Sequence, residues 1–167
     1  MKERLEPSEF INLKGIEYFN FEEDFVEENM RCIPMTIRYK MDIVGIKLKL
    51  SEWSKFKIEE RISLATMSIN DIEEKAKYKI YLSNLIEKSA NSLPSLIIVE
   101  ENHLWDNLNE IPTILQTQAH QFNITISQLQ WQKLTTLQRF TLLKLCKPGH
   151  ENKNFPKAIK EFGLVAY

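Results

Sequence analysis

Gly45-Ile-Lys-Leu-Lys-Leu-Ser-Glu-Trp-Ser-Lys-Phe-Lys-Ile-Glu-Glu-Arg-Ile-Ser-Leu64 is matched 78 positions later by Asn123-Ile-Thr-Ile-Ser-Gln-Leu-Gln-Trp-Gln-Lys-Leu-Thr-Thr-Leu-Gln-Arg-Phe-Thr-Leu142. The stretches align without a gap, and Trp53 with Trp131, Lys55 with Lys133 and Arg61 with Arg139 are identical pairs. Ile46, Leu48, Phe56 and Leu64 meet Ile124, Ile126, Leu134 and Leu142, so the apolar positions agree as well. A constant offset of this kind predicts a duplicated supersecondary unit. Outward from it, Pro34 and Pro112 suit helix starts, and Ile37, Met41 and Val44, like Leu115, Ala119 and Phe122, fall at helical spacing. Gly45 and Asn123 supply left-handed stops. Ile46, Leu48 and Leu50 alternate with lysines as a strand-like hinge, Ile124 and Ile126 repeat it, and Ser51 and Ser127 are expected to cap the short turns that carry the tryptophans. Helices over about Ile58 to Met67 and Thr136 to Cys146 complete the copies, the second opened by a capping box of Thr135 with Gln138.

Asn70 or Asp71 caps a longer helix ending near Ala90, its apolar face formed by Ile72, Ala76, Leu82, Leu85 and Ile86. A last helix, about Pro156 to Phe162, stops at Gly163. The stretch Asn91 to Asn109, with Pro94 and the short apolar run Leu96 to Val99, has no sustained period and reads as an extended connector. Residues 1–16, broken by Pro7 and Gly15, are expected to be a flexible tail. The predicted architecture is therefore mostly α. A single helical domain covers residues 17–167, built from two pseudo-repeated helix-hinge-helix halves, about 37–67 and 115–145, with short extended segments. Hydrophobic residues make up 43% of the 167 positions and charged residues 27%, an ordinary globular balance. A chain of this size buries about 70% of the surface that it exposes when unfolded.

A net charge of −1 and a pI near 6.3 provide no field to gather nucleic acid or an anionic membrane, so neither is expected as a partner. No basic-flanked apolar leader and no long apolar run is present, and a cytoplasmic location is expected. The four glycines are too scattered for a phosphate-cradling loop, and Gly-x-Ser-x-Gly is absent. Cys32, Cys146 and the three histidines lack zinc-ligand spacing, so no metal or organic cofactor is expected. Trp53 and Trp131 read as core. Arg61 and Arg139 can pair with carboxylates of the acidic, aromatic-rich segment Glu17 to Glu28 or with a partner, although exposed ion pairs contribute only about 0–1 kcal/mol. Cys32 stands beside Arg31 and just before a helix start, which can lower a thiol pKa and opens the alternative of a small thiol-dependent enzyme or redox protein. His150-Glu-Asn-Lys-Asn154 follows a Pro-Gly turn with several directional donors and acceptors, as a binding loop needs, or as a loop that bonds its own backbone. Arg31, Cys32, His150, Glu151, Asn152 and Asn154 are thus the candidate partner-binding residues.

Phe19-Asn-Phe-Glu-Glu-Asp-Phe25, Arg31-Cys-Ile-Pro-Met35, Lys40-Met-Asp-Ile-Val-Gly-Ile-Lys-Leu48 with Trp53, Leu137-Gln-Arg-Phe140 and His150-Glu-Asn-Lys-Asn-Phe155 together resemble the nitrate reductase associated protein family over about residues 19–164. The resemblance implies a non-enzymatic accessory protein, cyanobacterial in type, that supports assimilatory nitrate reductase, a molybdenum-cofactor enzyme. It implies binding to that enzyme or to its assembly intermediate. No catalytic residues are carried over.

Overall fold

The computed structural model describes Phe10, residues 13–22 and residues 33–165, the side chains of His150 and Glu151 aside. Eight α-helices and one two-stranded sheet lie among the described residues, so the fold is mostly α. The chain divides into two compact units, one closing at Val99 and the other opening at Glu100.

In the first unit α1 (Met35–Val44) begins after Pro34, whose φ of −53° suits helix entry, and ends at Gly45 with φ +78°. The Gly45 amide closes the helix on the Met41 carbonyl. There follow β1 (Ile46–Lys47), α2 (Leu50–Trp53), α3 (Ile58–Thr66) and α4 (Ile72–Ala90). Asp71 caps α4 by accepting the Glu74 amide hydrogen at 2.8 Å, and Asn91 ends it in the left-handed conformation. β2 (Ser95–Leu96) then returns antiparallel to β1, Ile46 opposite Leu96 and Lys47 opposite Ser95. Ile37, Ile46, Trp53, Leu64, Tyr78, Leu82 and Ile86 form the centre of this unit's core.

Three details differ from expectation. Lys49, not Ser51, occupies the cap position of α2, because the helix starts two residues earlier than expected, at Leu50. Along α4 the buried stripe starts only at Tyr78, while Ile72 and Ala76 are exposed. Within the stretch expected to be a tail, Phe10 is buried and stacks on Tyr18 at 5.8 Å, and Leu13 and Ile16 pack against the same core. Removing these three apolar side chains from water offsets the cost of fixing the residues that carry them.

The second unit contains a 3₁₀ turn (Leu104–Asp106), α5 (Thr113–Gln121), α6 (Gln128–Lys133), α7 (Thr136–Leu145), a second 3₁₀ turn (His150–Asn154) and α8 (Phe155–Glu161). Its buried side chains include Leu115, Ala119, Trp131, Phe140, Leu142, Phe155 and Ile159. Local features recur here at the 78-residue offset. Pro112 precedes its helix with φ −55°, close to Pro34, and Asn123 takes the positive φ that Gly45 takes earlier. The amides of Lys49 and Lys57 donate to Glu52 and Glu60 at 2.8 Å each, and those of Ser127 and Thr135 donate to Gln130 and Gln138 at 2.9 Å each. Both tryptophans are buried, with an arginine guanidinium 5.1 Å from the Trp53 ring and another 5.8 Å from the Trp131 ring.

Candidate partner-binding site

The loop at 150–154 follows α7, after a turn at Gly149, and leads directly into α8. Asn152 is spent internally: its amide group donates to the Leu145 carbonyl at 3.0 Å, and its side-chain oxygen accepts from Gln118 Nε2 at 3.4 Å. A carbonyl orphaned at the end of α7 is thus satisfied, and α5 is tied to the loop. Asn154 is only 1% exposed, and its Oδ1 has no hydrogen-bond partner among the described residues. Phe155, next in the chain, is buried and stacks on Phe122 at 5.7 Å. Backbone placement puts His150 and Glu151 on the 3₁₀ turn. Arg31 and Cys32 lie outside the described residues, as does the acidic segment from Glu23 to Glu28.

The polar residues of the other signature segments also serve internal bonds. Glu22, 1% exposed, accepts the Phe19 amide hydrogen at 3.1 Å and the Met35 amide hydrogen at 2.6 Å. Since Pro34 has no side-chain acceptor for the start of α1, this distant carboxylate supplies one, at the end of the helix where negative charge is favoured. Lys40 donates to the carbonyls of Ala65 and Met67 at 2.7 and 2.5 Å, and the Tyr78 hydroxyl donates to Leu64 at 2.9 Å. The C-terminal turn of α3 is closed in this way. Burial pulls the Lys40 pKa down to about 8 and pushes that of Tyr78 upward.

Arg61 and Arg139, considered above as surface pairs, are buried and donate to carbonyl oxygens. Arg61 reaches Trp53 through Nε at 3.3 Å and Nη2 at 3.0 Å. Burial lowers its pKa to about 10, with Glu60 acting in the opposite direction, so the guanidinium stays charged at neutral pH. Arg139 donates to Leu134 and, through Nε at 2.6 Å, to the Trp105 carbonyl. Trp131 Nε1 donates to Asn107 at 2.8 Å. The connector's second part is therefore pinned to the second unit, an arrangement that its aperiodic sequence did not announce. Trp105 meets the edge of Phe140 at 5.0 Å and stacks on His103 at 4.3 Å.

Cys146 is a free, buried thiol whose pKa burial pushes up to about 12, as an inert packing residue requires. Among the described residues no group of three His, Cys, Asp or Glu is placed to hold a metal ion, and no helix is long and apolar enough to cross a membrane. The apolar run Leu96 to Val99, by contrast, is exposed, as is Leu93 before it, and its aperiodic sequence marks it only as part of a connector. Neither a curated protein nor a solved structure matches the chain. The family model described as conserved nitrate reductase-associated protein matches residues 18–162. That span takes in every signature segment whose side chains close the helix ends above, and the chain belongs to the conserved nitrate reductase-associated protein family.

Proposed function

We propose that the protein is a non-enzymatic accessory factor that binds nitrate reductase, or an intermediate in its assembly, and supports its maturation in the cytoplasm. The observation that carries this reading is family membership over residues 18–162. A supporting observation is the use of Glu22, Lys40, Arg61, Arg139 and Asn152 for internal hydrogen bonds, as suits a scaffold that offers surfaces rather than a reaction centre. Neither nucleic acid nor membrane is part of the proposal.

The test is removal and capture. Cells lacking the chain should hold unchanged nitrate reductase transcript but reduced nitrate reductase activity, and the tagged chain should co-purify with the reductase polypeptide. Molybdenum content of the reductase from such cells separates the two modes: a low content points to cofactor insertion, a normal content with less protein to stabilisation. Full reductase activity in the deleted strain, grown on nitrate alone, would sink the reading.

A further inference from the structure

We propose that the outer edge of β2 receives an extended, uncharged apolar segment of a partner polypeptide as an added strand. This rests on the reading that the protein acts by binding another polypeptide, and it assigns the surface. Among the described residues the sheet has two strands, so β2 has β1 on one side and no strand on the other. Ile97 donates to the Gly45 carbonyl at 2.9 Å, and the register sets Leu96 opposite Ile46. In an antiparallel ladder the bonded and non-bonded pairs alternate, so Leu96 directs its own N–H and C=O away from β1. The amides of Leu96 and Ile98 have no backbone partner among the described residues. Leu96 lies in β2 and Ile98 just past its end; two donors at such an interval, about 6.6–6.8 Å apart where the backbone is extended, are the template on which strand addition works.

The side chains agree with the backbone. Leu96 is 69% and Ile98 92% exposed, with Leu93 and Val99 also in solvent. Edge strands ordinarily carry a charge that discourages pairing, yet no residue from Leu93 to Val99 is charged, so an uncharged segment is the complementary occupant. Pro94, with no N–H, bounds the edge on one side. Gly45 holds the run close, since a side chain there would meet Val99 Cγ2 at 2.7 Å and the Ile97 carbonyl at 3.0 Å. An edge fixed in advance lowers the ordering cost of binding. A second copy of the chain is the weaker candidate. The largest apolar patch of an ordinary monomer is on the order of 300–600 Å², less than the roughly 800 Å² that each partner of a standard interface buries, so two such edges pairing alone would fall short of a standard copy-to-copy interface.

Binding is measured with purified nitrate reductase polypeptide lacking its cofactor, against the wild-type chain, Ile98→Pro, which deletes an edge donor, and Leu96→Lys, which keeps the donors but adds charge. Expected are binding by the wild type, weakening by about tenfold or more in both variants at unchanged circular dichroism, and slowed hydrogen exchange at the Leu96 and Ile98 amides in the complex. Equal binding by all three, or unchanged exchange at those amides in the wild-type complex, overturns the edge while the accessory reading stands. Absence of wild-type binding overturns the accessory reading and the edge with it. Concentration-dependent dimerisation of the wild type that Ile98→Pro abolishes would make a second copy the occupant and overturn the partner-segment assignment. If neither variant folds, the exchange measurement on the wild-type complex decides.

Discussion

Gly45 and Gly163 both take positive φ, +78° and +68°, but among the described residues only Gly45 has neighbours where a side chain would stand. Replacement of Gly163 by Ala should cost about 1–2 kcal/mol for the left-handed backbone alone. Gly45→Ala should cost about 1–3 kcal/mol more, because Val99 and the Ile97 carbonyl must give way. Urea unfolding midpoints of the two variants test this difference, and equal losses would mean that the strand does not approach Gly45 as described. At Lys40 the folded-state pKa lies near 8, below the usual 10.5, so between these values the unfolded chain binds more protons. Its contribution to stability is therefore lost as pH falls through about 8 and recovers as pH rises toward 10.5. Partial solvent exposure screens the effect and keeps it small. Above pH 10 the phenol of Tyr78 pulls the other way, because its pKa is raised on folding. Between pH 8 and 10 the stability of Lys40→Met should accordingly climb less than that of the wild type. Parallel curves for the two proteins would show that the amine is not desolvated on folding.

Helix ends are where the two units use the same geometry with different chemistry. At Ser127 and Thr135 the hydroxyl accepts the Gln130 and Gln138 amide hydrogens at 3.2 and 3.1 Å, and each Gln reaches back to the cap amide. At Lys49 and Lys57 only the reach-back half exists, since an ammonium group has no acceptor to offer. Lys57→Thr and Lys49→Ser should each raise stability by about 0.5–1 kcal/mol through completion of the box. A melting temperature that does not rise in either variant would count against equivalence of these caps. Most helices were legible because their signals are local: Pro34 to Gly45, Asp71 to Asn91 and Thr135 to Cys146 carry start and stop residues within the segment itself. β2 was not legible, because its partner Ile46 lies in a distant stretch and the apolar run Leu96 to Val99 carries no period. The loop at His150 was visible as a polar cluster. The duty of Asn152 was hidden, because it depends on Gln118, 34 residues away.

Over the molecule as a whole, the two units meet one requirement by different means at matching positions. In the first, Lys40 itself spans from α1 to the end of α3, reaching the carbonyls of Ala65 and of Met67, the residue just past the helix. In the second, 78 positions on, Gln118 is too short an amide for the same span, and Asn152 stands between it and the Leu145 carbonyl. We propose that this correspondence reflects a duplicated unit, so that residues of about 37–67 superpose on those of about 115–145 with the tryptophans and arginines coincident. The proposal has a consequence that superposition alone does not. Asn152→Ala should destabilise by about 1–3 kcal/mol, because the Leu145 carbonyl loses its donor and Gln118 its acceptor. Adding Gln118→Lys to that variant installs the first unit's solution, a long side chain with a charged donor able to reach the α7 terminus where cations are favoured. The double variant should then melt above Asn152→Ala alone, while Gln118→Lys in the otherwise native chain, where Asn152 still occupies the carbonyl, should bring no gain. If the lysine fails to recover any of the loss, the Lys40 and Gln118 positions are not interchangeable and the shared offset is confined to the tryptophan turns and their caps.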